Sequence, residues 1–378
     1  MISKIFIAGD IVIFSEKQNI VDEKLKNIIE NSDLAICNFE APLKSVGKKI
    51  NKAGPYLFQN PKALDYVKET GFSICSLANN HIFDYGEKGL KTTLNKCETL
   101  NIETIGADFS FEQANKLLIK KVNESTFGFL AFSEAEFGVF TDYSDYGAVA
   151  YINHHKTNKL ITDSKKKVDF LIIIAHAGVE SVDLPLPEWR NRYKELCDFG
   201  ADAVIAHHPH VPQGWEMYNN KPIFYSLGNF YFDRENIKED SSFSVILNFN
   251  SNQFVDYKII THKKINGLAC FIDDKTFNNK LENLCQKLNK TYMTEIDKMV
   301  LDLYEKRYKF HYQKAFKAYS SDMNLLKKTS RLINNFVFKK TNYKNKNLLL
   351  LHNIRIESHR FVMQRALHLI FEKDNRKQ

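Results

Sequence analysis

Two stretches decide the fold: Phe170-Leu-Ile-Ile-Ile-Ala-His176 and Ala203-Val-Ile-Ala-His-His-Pro-His210. The first is a continuous apolar run, typical of a strand whose sheet is covered on both faces. A helical pattern near residues 187–199, closed by Gly200, lies between the two stretches. The alternation of strand, helix and strand predicts an α/β fold with mixed sheets stacked between helices.

The same arrangement recurs towards the N-terminus, where three more predicted strands end in polar residues. Asp10, Glu40 and the pair Asn80-His81 follow the predicted strands Lys4–Ala8, Leu34–Cys37 and Ser73–Leu77. In open α/β sheets, ligands bind just past the carboxyl ends of the strands. Imidazole and carboxylate groups together suit Zn, Fe, Mn or Ni, so the five strand ends predict a shared metal site.

Taken singly, each strand end is also compatible with ordinary turn chemistry, since Asn and Gly-Asp are common in turns. The segment His208-Pro209-His210 is more specific. Pro209 fixes its own φ and favours an extended conformation at His208. We therefore expect His208 and His210 on the same side of an extended segment, with His207 facing away from His208.

Composition favours an ordinary globular protein, with 44% hydrophobic and 26% charged residues in a chain of 378. The longest apolar stretches fall far short of a membrane span, and the N-terminus lacks the pattern of a secretory signal. Six cysteines occur without CxxC spacing, which predicts reduced thiols and a cytoplasmic protein.

The charge divides the chain into two predicted regions. Residues 271–378 carry 23 Lys/Arg against 11 Asp/Glu, whereas residues 1–270 carry 30 against 34. The sequence predicts an α/β domain over 1–270 and a basic helical appendage over 271–378. A solvated lysine-rich helical surface explains the basic region, and an anionic partner is the alternative. Leu348–Leu351 and neighbouring apolar residues also suit a peripheral membrane contact.

Several motifs occur in an order that resembles a known family. They are Gly9-Asp10, Asn38-Phe39-Glu40, Ala78-Asn79-Asn80-His81, His176-Ala-Gly-Val-Glu180, His208-Pro209-His210-Val211 and Ser226-Leu-Gly-Asn229-Phe230. The chain resembles, over about residues 1–250, the CapA family of capsule and poly-γ-glutamate biosynthesis proteins. That family is similar to the calcineurin-like metallophosphoesterase superfamily.

The resemblance implies a four-layer α/β/β/α metallophosphatase-like sandwich with one or two divalent ions, such as Mn, Zn or Fe. It implies that Asp10 and His210 hold one ion, that Glu40 bridges, and that three residues hold the other ion: Asn80, His176 and His208. It places His81 as the general acid on the leaving group.

Three further residues are candidates near the site. Asp84 either orients His81 or caps a helix. Glu180 either binds substrate or acts as a base, or is an exposed loop acid, and Asn229 either binds substrate or forms a tight turn. Val12 stands where the superfamily usually has a metal-ligating histidine, which puts the first metal in question.

The resemblance implies a metal-dependent hydrolase-type site in capsule or other polysaccharide biosynthesis. The substrate is an anionic polymer or a phosphoester, and a membrane-bound synthase is a candidate partner. The alternative is a non-catalytic module that binds an anionic polymer or a partner on the same fold. Nucleic acid is disfavoured, because no basic motif interleaved with aromatic residues lies near the site.

Overall fold

The computed structural model describes residues 1–45, 47–142, 146–233, 241–316 and 341–375. Fourteen strands are described: β1 (Ser3–Val12), β2 (Leu34–Phe39), β3 (Ile74–Ser76), β4 (Glu103–Ile105), β5 (Leu118–Val122), β6 (Ser125–Ser133), β7 (Phe170–His176), β8 (Ala203–His207), β9 (Trp215–Tyr218), β10 (Lys221–Phe224), β11 (Asn229–Phe232), β12 (Ser241–Phe249), β13 (Phe254–Ile265) and β14 (Leu268–Phe271).

The helices that accompany these strands are α1 (Glu23–Glu30), α2 (Ala63–Glu69), α3 (Gly86–Thr99), α4 (Phe111–Ala114), α5 (Thr157–Lys165), α6 (Pro187–Asp198) and α7 (Lys275–Lys290). Local sequence explains where several of them begin. The Asp22 carboxylate accepts from Leu25 N at 2.8 Å and caps α1, and Pro187 occupies the first turn of α6. Asp274 caps α7 in the same way as Asp22 caps α1.

The strands form two sheets. The first has the order β14-β13-β12-β1-β2-β3-β4, and β11 also pairs with β1. The second has the order β5-β6-β7-β8-β10-β9. The parallel strands β1, β2 and β3 in one sheet and β7 and β8 in the other carry the predicted site residues at their carboxyl ends.

Aromatic side chains pack the two sheets against each other. The Phe249 ring of β12 lies 5.2 Å from Phe127 of β6 and 4.7 Å from Phe170 of β7. Helices α1 and α3 contact the first sheet, whereas α5 and α6 contact the second. The order of helix, sheet, sheet and helix confirms the predicted four-layer α/β/β/α sandwich.

Two glycines allow β1 and β11 to approach closely. A Cβ on Gly9 would lie 1.9 Å from the carbonyl oxygen of Gly228, which is shorter than any non-bonded contact. Asp10 N donates to the same carbonyl at 3.2 Å, and Asp10 pairs in register with Asn229. Because Gly9 has no side chain, β1 can lie against Gly228, and this contact positions the backbone of Asp10.

The described chain divides into two compact units, one of residues 1–50 and 56–292 and the other of residues 51–55 and 293–378. Helix α7 belongs to the first unit because Phe277, Leu281 and Leu284 join its hydrophobic core. The division of the chain into domains 1–270 and 271–378 stays a prediction.

The second unit is helical, as the sequence predicts. It contains most of α8 (Tyr292–Leu303), a π-helical segment (Tyr304–Tyr308), α9 (Lys309–Phe316), α10 (Thr341–Arg355) and α11 (Glu357–Asn375). Arg365 of α11 forms an ion pair with Asp297 of α8 at 2.7 Å. Within the described part of the chain, each helix is too short or too polar to span a lipid bilayer.

Candidate metal centre

Glu40 lies at the centre of the predicted site. One group of ligand atoms combines Glu40 with His176 and His208, and a second combines Glu40 with Asp10 and His210. Within each group the ligand atoms lie within 4.8 Å of one another. A carboxylate shared by both groups is the arrangement that a bridging ligand needs.

The first group, extended by Asn80, has the spacing of a coordination shell. His176 Nε2 lies 3.1 Å from Asn80 Oδ1 and 3.1 Å from His208 Nδ1. Ligand atoms about 2.1 Å from one ion are separated by about 3.0–3.4 Å in octahedral or tetrahedral geometry. His176, His208 and Asn80 therefore have the spacing of ligands to one divalent ion, and Glu40 Oε1 lies somewhat farther away, 3.8 Å from His176 Nε2.

The second group contains two carboxylates, those of Asp10 and Glu40, and the imidazole of His210 lies within ion-pair distance of both. His210 Nδ1 lies 3.2 Å from Asp10 Oδ2, and His210 Nε2 lies 3.6 Å from Glu40 Oε1. Asp10 and Glu40 are both fully buried. Two buried carboxylates in one small space need positive charge nearby, and a cation between them meets that need.

The pKa values report the same charge distribution. Burial opposes ionisation of Asp10, yet its contact with His210 keeps the pKa of Asp10 well below the usual range. Burial also opposes the charge on His210, but Glu40 and Asp10 raise the pKa of His210 to about 10. A protonated His210 therefore offsets part of the negative charge that Asp10 and Glu40 place in the site.

The imidazoles of His176 and His208 are neutral at neutral pH. Burial is the largest cause of the lowered pKa of His208, to about 4, and it also lowers the pKa of His176 well below its usual value. A neutral imidazole has a lone pair for a metal ion. His176 and His208 are thus in the protonation state that a ligand requires.

The segment that carries two of these histidines is not extended. His208 has φ +98° and His210 has φ +60°, so the expectation that Pro209 holds His208 in an extended conformation is wrong. Ser181 N donates to Pro209 O at 2.9 Å and ties the segment to the loop after β7. Tertiary contacts thus outweigh the local preference before proline, and such strain is typical of functional loops.

His81 and Asp84 form a buried pair beside the metal ligands. His81 Nδ1 lies 2.8 Å from Asp84 Oδ2, and Leu57 N donates to the same oxygen at 2.8 Å. Asn79 Oδ1 accepts from Ile82 N at 2.9 Å and holds the turn that presents His81. Of the two interpretations of Asp84, the contact supports the one in which it orients His81.

The two remaining candidates lie at the edge of the site. Glu180 is exposed in the loop after β7, and its charge acts on the imidazoles of His208 and His210. Asn229 Oδ1 lies 3.0 Å from His210 Nδ1, so Asn229 contacts a predicted ligand. The roles of all ten residues stay predictions.

Two residues that the sequence does not indicate as site residues support this site. Asn38 Nδ2 donates to Asp10 Oδ1 at 2.7 Å and lies 3.2 Å from His176 Nδ1. Glu134, one residue beyond β6, accepts from Gly178 N at 3.0 Å and holds the loop that follows His176. Asn38 belongs to the quoted motif Asn38-Phe39-Glu40, but no local signal marked Glu134.

His207 also lies at the site, although the sequence predicts no role for it. Its fully buried ring has Nδ1 3.8 Å from Asp10 Oδ1, and burial lowers the pKa of His207. Among the described residues, neither ring nitrogen forms a hydrogen bond. His207 therefore lies behind Asp10, within the layer between the two sheets.

Val12 cannot act as a metal ligand, because its side chain has no donor atom. Its side chain is fully buried in an apolar cluster with Ala41, Leu57 and Phe232. Position 12 therefore offers no donor atom, and the Asp10 group contains one imidazole, that of His210.

A second histidine cluster lies elsewhere in the first unit. Asp142 Oδ1 lies 3.1 Å from His154 Nε2, and His155 Nδ1 contacts the same oxygen. Lys156 N donates to His154 Nδ1 at 3.2 Å, so Nε2 carries the proton of the neutral ring. These contacts form a hydrogen-bonded cluster and leave no lone pair on His154 for a metal.

Comparison with known proteins identifies the family. The model of the family "Bacterial capsule synthesis protein PGA_cap" matches residues 4–234. The chain is 31% identical over 241 residues to the PGA biosynthesis protein CapA of Bacillus subtilis, which covers 60% of this chain and 62% of that protein. It is 32% identical over 213 residues to the capsule biosynthesis protein CapA of Bacillus anthracis, with coverage of 54% and 52%.

The chain thus spans between half and two thirds of the length of these relatives. Among solved structures, a putative 5'-nucleotidase from Staphylococcus aureus aligns with a TM-score of 0.46 at 16% identity, over 76% of this chain and 58% of that one. The family match covers well over half of the chain and confirms the resemblance seen in the motifs. The chain therefore belongs to the bacterial capsule synthesis protein PGA_cap family.

Proposed function

We propose that this protein is a metal-dependent hydrolase that acts in capsule or poly-γ-glutamate synthesis. One observation carries the proposal: two groups of buried ligand atoms share Glu40 and lie beside the His81–Asp84 pair. The printed names of the relatives, which concern capsule and PGA biosynthesis, supply the biological context.

The residues fit one or two divalent ions, one for each of the two groups. Asp10 and His210 would hold one ion, Asn80, His176 and His208 the other, with Glu40 between them. Bound ions supply Lewis-acid polarisation of a phosphoryl or carbonyl oxygen and lower the pKa of bound water. The choice among Mn, Zn and Fe stays a prediction, since mixed nitrogen and oxygen donors suit all three.

His81 supplies proton transfer in this proposal. The Asp84 carboxylate at Nδ1 fixes the tautomer and the orientation of the ring, so the proton exchanged with substrate sits at Nε2. A positioned imidazole of this kind protonates the leaving oxygen as its bond breaks. Glu180 and Asn229, at the edge of the site, are proposed to contact substrate.

The substrate class follows from site and family together. The metal ligands and His81 suit cleavage of a phosphoester, whereas the names of the relatives point to an anionic polymer. We propose an anionic substrate that carries either phosphoester or γ-linked amide bonds. The cytoplasmic location and a membrane-bound synthase as partner stay predictions.

Elemental analysis of the purified protein, together with activity assays, tests the proposal. We expect at least one equivalent of a transition metal per chain and metal-dependent turnover of a phosphodiester or of γ-glutamate oligomers. His176→Asn should lose metal and turnover, whereas His155→Asn, an exposed histidine outside the site, should keep both. Wild-type protein that takes up no metal on titration would contradict the proposal.

The second candidate function is a non-catalytic binding module, and Val12 favours it. Because Val12 packs in an apolar cluster, the Asp10 group lacks one imidazole that the superfamily pattern has. His81→Ala separates the two functions. A hydrolase loses turnover in this variant, whereas a binding module keeps its affinity for the polymer.

A further inference from the structure

The segment that follows Glu40 is strongly basic. Residues 41–60 contain four lysines and no acidic residue, in a region of the chain that is acidic overall. Lys44, Lys48 and Lys49 are exposed, and no described carboxylate lies within ion-pair distance of their ammonium groups. These three residues are named the lysine surface.

The lysine surface is attached to the turn that carries His81 and Asp84. Ile50 N donates to Asp84 O at 3.1 Å, and Tyr56 OH donates to Ile50 O at 2.7 Å. Because Asp84 also binds His81, the basic segment and the proposed general acid share one support. The backbone next to Lys48 and Lys49 is therefore tied to the turn that carries Asp84.

A row of aromatic rings connects the metal ligands to the lysine surface. The His210 ring lies 5.4 Å from Phe232, Phe232 lies 6.3 Å from Phe14, and Phe14 lies 6.4 Å from Phe58. The Lys44 ammonium lies 5.4 Å above the Phe58 ring. Lys49 makes a similar contact with Tyr56, at 4.7 Å.

The row of rings has negative charge at the end near the candidate metal ligands and positive charge at the end near the lysine surface. The metal ligands include buried carboxylates, and Glu180 adds an exposed negative charge beside them. An anionic ligand therefore needs a positive surface to approach this site. Three exposed lysines within six residues, one of them over the last ring of the row, suit an extended chain with repeated negative charges better than a small anion.

We infer that the lysine surface, with the half-buried rings of Phe14 and Phe58, binds a linear polycarboxylate and leads it to the metal centre. This inference rests on the proposed function, because it places the polymer on the substrate side of that site. The rings of Phe58 and Tyr56 position the ammonium groups of Lys44 and Lys49, which stay exposed to the polymer.

Binding of fluorescently labelled poly-γ-glutamate, measured by anisotropy at several salt concentrations, tests the inference. The variant Lys44→Gln/Lys48→Gln/Lys49→Gln should bind about tenfold more weakly, with a smaller dependence on salt. The matched control Lys121→Gln/Lys167→Gln/Lys258→Gln removes the same charge from exposed lysines elsewhere. It should stay within about twofold of wild type, because it changes only the overall charge.

Equal weakening in both triple variants, or no weakening in the first, would overturn the inference. Tighter binding of inorganic polyphosphate of equal charge would overturn the assignment to a polycarboxylate. Melting temperature and metal content of each variant show whether it is folded. The test of this inference can be told apart from the test of the proposed function. If the protein takes up no metal but still binds the polymer through the lysines, the proposed hydrolase activity is contradicted and the inference about the lysine surface stands.

Discussion

At the scale of single residues, the Asp84 carboxylate joins the general-acid candidate to a neighbouring loop. It binds the His81 ring and the backbone of Leu57 through one oxygen, and it is almost fully buried. An amide in its place keeps the shape of the side chain and an oxygen for one of these donors. The negative charge that stabilises a protonated His81 is lost.

We therefore predict that Asp84→Asn lowers turnover by at least about tenfold while metal content stays unchanged. Steady-state kinetics and elemental analysis on the same preparation measure both quantities. Glu87→Gln, a change of the same type in the first turn of α3, serves as the control. Loss of metal in Asp84→Asn would show that Asp84 supports the ligands instead of His81.

Several candidate site residues could be selected from the sequence because they lie at or just after the end of a recognisable strand; their roles stay predictions. Their conformation could not be predicted. The left-handed backbone of His208 and His210 depends on contacts with the loop after β7. The role of Glu134 depends on a hydrogen bond across two neighbouring loops, and nothing near Glu134 in the sequence indicates it.

At the scale of elements, the contact between β1 and β11 depends on Gly9. We predict that Gly9→Ala destabilises the protein by at least about 2 kcal/mol, because its Cβ would overlap the Gly228 carbonyl. Urea unfolding measures the change in the free energy of unfolding. The control Gly267→Ala has φ +81° but nothing within 4 Å, so it should cost only about 1 kcal/mol.

A similar loss of stability in both glycine variants would contradict this explanation, since backbone conformation alone would then account for it. Gly9→Ala should also weaken metal uptake. The shifted strand would carry Asp10 away from His210, whereas Gly267 lies in the turn between β13 and β14, far along the chain from any ligand.

His262 on β13 links stability to pH. It is buried, its Nε2 lies 3.2 Å from Ser244 Oγ, and burial lowers the pKa of His262 from its usual 6.5 to about 3. Between these values the unfolded chain binds a proton that the folded protein does not. Stability therefore falls as the pH falls from 6.5 towards 3, and this contribution is absent above pH 6.5.

We predict that His262→Gln removes a slope of about 1.4 kcal/mol per pH unit between pH 6 and pH 4. Denaturant unfolding at several pH values measures the slope in wild type and in the variant. His368→Gln, an exposed position in α11, should leave the slope unchanged. Parallel curves for wild type and His262→Gln would contradict the assignment.

At the scale of the whole molecule, the predicted metal ligands, the pair His81–Asp84 and both sheets belong to the first compact unit. We predict that a chain ending after Tyr292 folds and takes up the same amount of metal as the full chain. Circular dichroism and elemental analysis check this. An insoluble or metal-free product would show that the second unit is required for the fold of the first.

The general architecture could be predicted from the sequence because apolar strands and their polar ends have clear local patterns. The boundaries of the compact units depend on long-range packing instead. Helix α7 has the lysine-rich composition of the C-terminal region, yet its apolar residues complete the core of the sandwich. Composition alone therefore could not assign it.

The pairing of β1 determines when the site can form during synthesis. Ser3 pairs with Phe249, and Asp10 pairs with Asn229. Strand β1 leaves the ribosome before its partners, and two of its neighbours, β11 and β12, are translated more than two hundred residues later. The nascent chain must therefore keep this apolar strand from aggregating, and the candidate ligands of the two sheets can meet only when translation is well advanced.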